Sequence, residues 1–268
     1  MSTAPVLRPL GVGEILDTAL AVYRRHAFAL WKIVAVVLAL PAALSGVIAV
    51  AQHQVENSSG SSSNASVLLL SLGAELVGVL ATFLATAAAY RLVADAYMGR
   101  VVDPAASLSF GVRRFGSVLW VSFLAFLGIL VGFVLLVVPA IYLAVAWSVA
   151  VPVLLGENAR GRAALRRSRA LVRGRWWPCC GVLVLAVVLA AIVALAFGIL
   201  IRAIVGDSNS DPLIFFTSGI STLITDSLVL PFQVAVTTVL YIDLRVRKEG
   251  FDIQLLTHSL DPGGAGDT

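Results

Sequence analysis

Long apolar runs alternate with short polar stretches along this chain, and charge gathers where the runs end. The runs cover about 27–50, 67–90, 117–138, 141–155, 178–205 and 213–242. All but the somewhat short fourth are long enough, as helices rising about 1.5 Å per residue, to cross a hydrocarbon core of roughly 30 Å. The pattern predicts an all-α polytopic membrane protein: a single domain over residues 1–250 with six transmembrane helices, and a tail, 251–268, ending in DPGGAGDT. Such a polar, glycine-rich tail is expected to be disordered.

Between the runs, three stretches change period. Residues 13–26 place Ile15, Leu16, Ala19, Leu20, Val22 and Tyr23 on one face and Glu14, Asp17, Thr18, Arg24 and Arg25 on the other. Acids in the first turns and arginines in the last complement a helix dipole. Residues 160–175, RGRAALRRSRALVRGR, set Arg162, Arg166, Arg169 and Arg173 on one stripe and Ala164, Leu165, Ser168, Leu171 and Val172 on the other. A shorter third stretch, 105–115, ends in Arg113 and Arg114. All three read as amphipathic helices lying on the membrane surface.

The turns differ in polarity. QHQVENSSGSSSNAS follows the first run and contains no Lys or Arg, whereas the 160–175 stretch alone holds seven arginines. Of the 19 Lys and Arg residues, 18 fall on one side of a six-span threading and Arg202 alone on the other. Basic loops stay in the cytosol, so a bacterial plasma membrane protein with both termini cytosolic is expected. A cleaved signal peptide is disfavoured, because roughly thirty residues including Glu14 and Asp17 precede the first run.

Composition agrees. Hydrophobic residues make up 59% and charged residues 13%, with a mean hydropathy of +0.97; these are not the values of a soluble domain. The net charge of +4 therefore points to anionic lipid headgroups rather than nucleic acid, for which interleaved aromatics are missing.

Prolines and acids punctuate the spans. Pro41 is expected to kink the first, Pro139 to mark a tight turn between the third and fourth, and Asp226 and Pro231 to interrupt the sixth. R-R-x-x-x-x-L-W occurs at Arg24–Trp31 and Arg113–Trp120, with a looser copy from Arg173. It reads either as an internal repeat of surface helix plus two spans, or as the Arg and interfacial Trp that any outward span acquires.

Carboxylates inside spans are costly, which singles out Asp226, with Ser221, Thr222 and Thr225 nearby, and Glu75. The pair is either a polar site for a proton, cation or headgroup, or a set of structural acids joining helices. The arginine stripe is either a lipid-phosphate site or a topology signal with nonspecific lipid contact. No G-x-S-x-G, H-E-x-x-H or phosphate-binding glycine loop is present, and His53 falls on the opposite side from His26 and His258. Adjacent Cys179 and Cys180 lack metal or redox spacing. No catalytic residue, metal or cofactor is expected.

Three stretches in order, LRPLGVGEILDTALAVYRRH from Leu7, ALRRSRALVRGRWW from Ala164 and YIDLRVRKEGFDIQLL from Tyr241, resemble actinobacterial membrane proteins with a glycerophosphoryl diester phosphodiesterase membrane domain. The resemblance implies a helical membrane bundle. In that family such a domain precedes a separate catalytic barrel; none is expected within residues 1–268, so the barrel's catalytic residues have no positions here to be carried onto. The expectation is a non-enzymatic protein whose basic face contacts anionic lipid or a membrane or cytosolic protein partner. The alternative is a transporter or lipid-handling protein with a polar site near Asp226 and Glu75.

Overall fold

The computed structural model describes residues 9–56, 62–205 and 210–250; the 251–268 tail lies outside the described residues. The elements are α1 (Val12–Arg25), α2 (Ala27–Glu56), α3 (Ser62–Tyr97), α4 (Pro104–Leu135), α5 (Val137–Ala146), α6 (Ala150–Glu157), α7 (Arg162–Val172), α8 (Trp176–Val205) and α9 (Asp211–Glu249). Among the described residues, six stretches are long and apolar enough to cross a membrane, α5 and α6 together supplying one of them. The all-α, six-span architecture follows the apolar runs.

Local chemistry sets several boundaries. Asp103 caps α4, its Oδ1 accepting from the backbone N–H groups of Ala105 and Ala106 at 2.9 and 3.2 Å, and Pro104 occupies the first helical position, where no N–H is needed. The turn between α4 and α5 falls at Leu136, in extended backbone. Pro139 lies three residues inside α5 rather than at the turn, because the first helical turn has no N–H partner to lose. Pro152 stands likewise in the first turn of α6. Between α5 and α6 the chain breaks at Trp147–Val149, and the Ala146 carbonyl freed there accepts from Ser168 Oγ of α7 at 2.8 Å.

Three expectations change. The amphipathic stretch 105–115 is not a separate surface helix; it forms the first turns of α4, since nothing between Phe115 and Ser117 stops the helix. Pro231 does not interrupt the sixth span, and α9 is continuous over 39 residues. The apolar face of α7 meets protein, packing on α4, α5, α6 and α9, and α1 packs on α8 and α9 with Ile15 and Ala19 buried and Leu20 left exposed. Periodicity reveals an apolar face but not what covers it. The face itself is as expected for α7, with Ala164, Leu165, Ser168, Leu171 and Val172 buried.

Where the core lies follows from the solvent. The largest buried side chains, among them Leu30, Leu92, Leu154, Leu171, Leu240 and Leu244, come from the basic ends of α2, α3 and α9 and from α6 and α7. There water drives apolar side chains together. Deeper in the bundle lipid tails are as apolar as leucine, and close approach of small residues takes over. A Cβ on Gly219 of α9 would lie 2.9 Å from the Ala42 carbonyl oxygen, and one on Gly46 of α2 would lie 2.8 Å from the Phe215 carbonyl oxygen. Glycine alone fits at this crossing.

Candidate functional site

Two sites, at opposite ends of the bundle, hold the charged residues singled out above. The first is a cavity of about 680 Å³ between α2, α3 and α9. Helical spacing builds it: Ser71, Glu75, Gly78 and Thr82 form one stripe of α3, Ser218, Thr222 and Asp226 one stripe of α9, and Ala42, Ser45, Ala49 and Gln52 one stripe of α2. Pro41 of α2 faces Gly78 of α3. Glu75 and Asp226 thus line one space; Ser221 and Thr225, their sequence neighbours, do not.

The electrostatics of this cavity are one-sided. No arginine or lysine lines it, and among the described residues no hydrogen bond or ion pair reaches either carboxylate. The hydroxyls of Ser45, Ser71, Thr82 and Thr222 donate to carbonyls of their own helices, at 2.8, 2.8, 2.9 and 2.8 Å. What they offer inward is lone pairs. Carboxylates and hydroxyl oxygens together accept hydrogen bonds or a positive charge. The cavity occupies the half of the bundle away from the arginines: Asp226 precedes Asp243 by 17 residues of α9, about 25 Å of helix.

At the other end, Arg162, Arg166, Arg169 and Arg173 are exposed along α7. The guanidinium of Arg169 lies 5.6 Å from the centre of the Tyr142 ring, which stacks on Trp176. Lys248 Nζ donates to the carbonyls of Ala170 and Arg173, closing the C-terminal end of α7 with a cation where its dipole is negative.

Arg167 turns inward instead. Its Nε donates to Glu157 Oε2 at 2.8 Å, one Nη donates to Glu157 Oε1 at 3.2 Å, and the guanidinium also pairs with Glu249. Glu157 further accepts from the Tyr241 hydroxyl at 3.0 Å, and Arg245 Nε contacts Glu157 and Glu249 at 3.5 and 3.2 Å. The hydrogen bonds it donates to Glu157, and after them the one to Glu249, push Arg167 above the ordinary arginine range, so it stays charged throughout. A second cluster sits beside it: Asp243, buried in α9, accepts from Arg247 Nε at 2.9 and 3.0 Å and from the Leu10 N–H at 2.7 Å.

Neither cluster stood out in the sequence. The pairs Asp243/Arg247 and Arg245/Glu249 have the i,i+4 spacing of a helical ion pair, a signal that was available. Glu157 and Arg167 meet across a turn, which spacing cannot reveal. Arg91 and Asp95, also four residues apart, pair at 3.5 Å, with Arg100 joining at 3.7 Å. No group of His, Cys, Asp and Glu suited to a metal ion occurs among the described residues.

Fold and sites together define a multi-pass α-helical membrane protein with a basic end and an acidic intramembrane cavity. The chain belongs to the DUF8558 family, a domain of unknown function, which matches residues 77–261. The match takes in α4 to α9, with Asp226 and the whole arginine stripe, and starts two residues after Glu75. No curated protein and no solved structure matches the chain.

Proposed function

We propose that this is a non-enzymatic protein of a bacterial plasma membrane, with both termini cytosolic, that holds a basic face against anionic lipid headgroups. The observation that supports it is the division of labour on α7. Its apolar face is fixed in the bundle and Arg167 serves the internal ion network, while Arg162, Arg166, Arg169 and Arg173 remain exposed on one stripe. Each basic residue near an anionic leaflet contributes about 1 kcal/mol of attraction. The resemblance to phosphodiesterase membrane domains fits a lipid-facing role of this kind and supplies no activity.

The test is lipid retention by the purified protein. Changing the four arginines together to glutamine is expected to lower the amount of phosphatidylglycerol that copurifies at least fivefold, with phosphatidylcholine unaffected. Equal retention by both proteins in native mass spectrometry would end the proposal.

A second reading comes from the shared cavity: Glu75 and Asp226 form a site for a cation or a cationic amphiphile. Dodecylamine binding to the purified protein is then expected to weaken about tenfold in Asp226→Asn, where one charge is lost without loss of volume. Unchanged affinity, measured by titration calorimetry, leaves the carboxylates a structural role only.

A further inference from the structure

Between α4 and α7 runs a groove of about 750 Å³, within the range of sites that enclose small ligands. One wall is a stripe of α4, Leu124, Leu127, Gly128 and Val131, whose i, i+3, i+4, i+7 spacing sets them in line. The opposite wall is α7, with Arg162, Arg166 and Arg169. Trp147, in the break between α5 and α6, lies against α4 where a Cβ on Gly128 would come within 2.5 Å of the indole ring. The missing side chain at 128 seats the ring. No acidic residue lines the groove, and Arg173, on the same exposed stripe, is not part of it.

We infer that this groove holds one anionic diacyl phospholipid, with an acyl chain along the α4 stripe and the phosphate among the three arginines. The inference rests on the reading of α7 as a lipid-facing helix and adds a defined site to it. Charge complementarity selects the ligand: guanidinium forks match phosphate oxygens in pairs, and three of them favour a net negative headgroup over a zwitterionic one. The apolar wall selects a lipid over a free anion. A water-soluble phosphate would leave Leu124, Leu127 and Val131 uncovered, whereas a chain of methylenes covers them from the bilayer in which they already stand. A peptide fits poorly, since its backbone polar groups would face an aliphatic wall without partners.

The full chain in detergent, titrated with phosphatidylglycerol or phosphatidylcholine and read by native mass spectrometry, tests this. One tightly held phosphatidylglycerol per chain is expected. Arg166→Gln should weaken it about tenfold. Val131→Trp, which fills the groove from a half-exposed position without touching a charge, should weaken it to a similar degree, and Leu127→Trp provides a second filling variant if the first fails to fold. Arg173→Gln should change it less than about twofold. Glycerol phosphate at the same concentration should not displace the lipid; displacement would show that the headgroup alone binds and overturn the acyl slot. If Arg173→Gln weakens binding as much as Arg166→Gln and neither tryptophan matters, the groove is overturned and a diffuse basic surface remains. If the unaltered protein does not distinguish the two lipids, the lipid-facing reading itself falls.

Discussion

Asp243→Ala is expected to destabilise the protein by about 3–4 kcal/mol, the largest effect of any single charge removal at the basic end. Asp243 is 4% exposed and accepts three hydrogen bonds, two from Arg247 and one from the N–H of Leu10. Arg247 in turn donates to the Leu10 carbonyl, so one carboxylate and one guanidinium join residues 10 and 247. Alanine would strand the Leu10 N–H and leave Arg247, 20% exposed, with the Leu10 carbonyl in place of a carboxylate. Thermal unfolding in detergent should show the loss, and Asp243→Ala combined with Arg247→Ala should recover part of it, because the uncompensated charge goes too. An unfolding transition within about 0.5 kcal/mol of the unaltered protein would mean that water reaches this carboxylate and that the cluster contributes nothing.

Glu157→Ala should cost somewhat less, about 2–3 kcal/mol. Glu157 is the hub to which Arg167, Arg245 and Tyr241 converge from α7 and α9. Removing it takes away one of the two carboxylates, Glu157 and Glu249, that Arg167 and Arg245 both contact. The discount relative to Asp243 comes from solvent: the Arg167 side chain is 31% exposed and that of Glu157 19%, so water replaces part of what is lost. Arg166→Ala, exposed on the same helix, is the control and should change stability by less than about 0.5 kcal/mol. A loss in Arg166→Ala equal to that in Glu157→Ala would show that α7 is held by its outer face, contrary to the packing described.

Hydrophobic period made most of the architecture legible. Runs of apolar residues mark where lipid surrounds the chain, and the burial of Ala164, Leu165, Ser168, Leu171 and Val172 was readable from their 100° spacing. Its limits have physical causes. An apolar stripe reads the same whether it meets lipid or protein, which is why α1 and α7 were expected on the bilayer and are packed on the bundle. Continuity is equally hidden: residues 105–115 and the third span differ in pattern but are one helix, because hydrogen bonding along the backbone does not register which face is wet. Glu75 and Asp226 were legible as costly carboxylates. That they share a cavity depends on how α3 and α9 lean against α2, and no single helix records that. The Glu157 hub was invisible for the same reason, since it is assembled from α6, α7 and α9.

The hairpin of α4 and α5 turns on six residues, Phe133 to Val138, every one large, apolar and exposed. No polar group on it marks a boundary with water, in contrast to the Ser-rich stretch after α2. Its nearest anchor is Tyr142, four residues past the tip, whose carbonyl accepts from Trp176 Nε1 at the start of α8 at 3.3 Å and whose ring stacks on the indole. Four residues of helix rise about 6 Å, so the bare tip stays close to the arginine end, and in a bilayer lipid tails cover it whatever the thickness of the membrane. The other four spans must match that thickness, whereas the third and fourth together tolerate a change of lipid length.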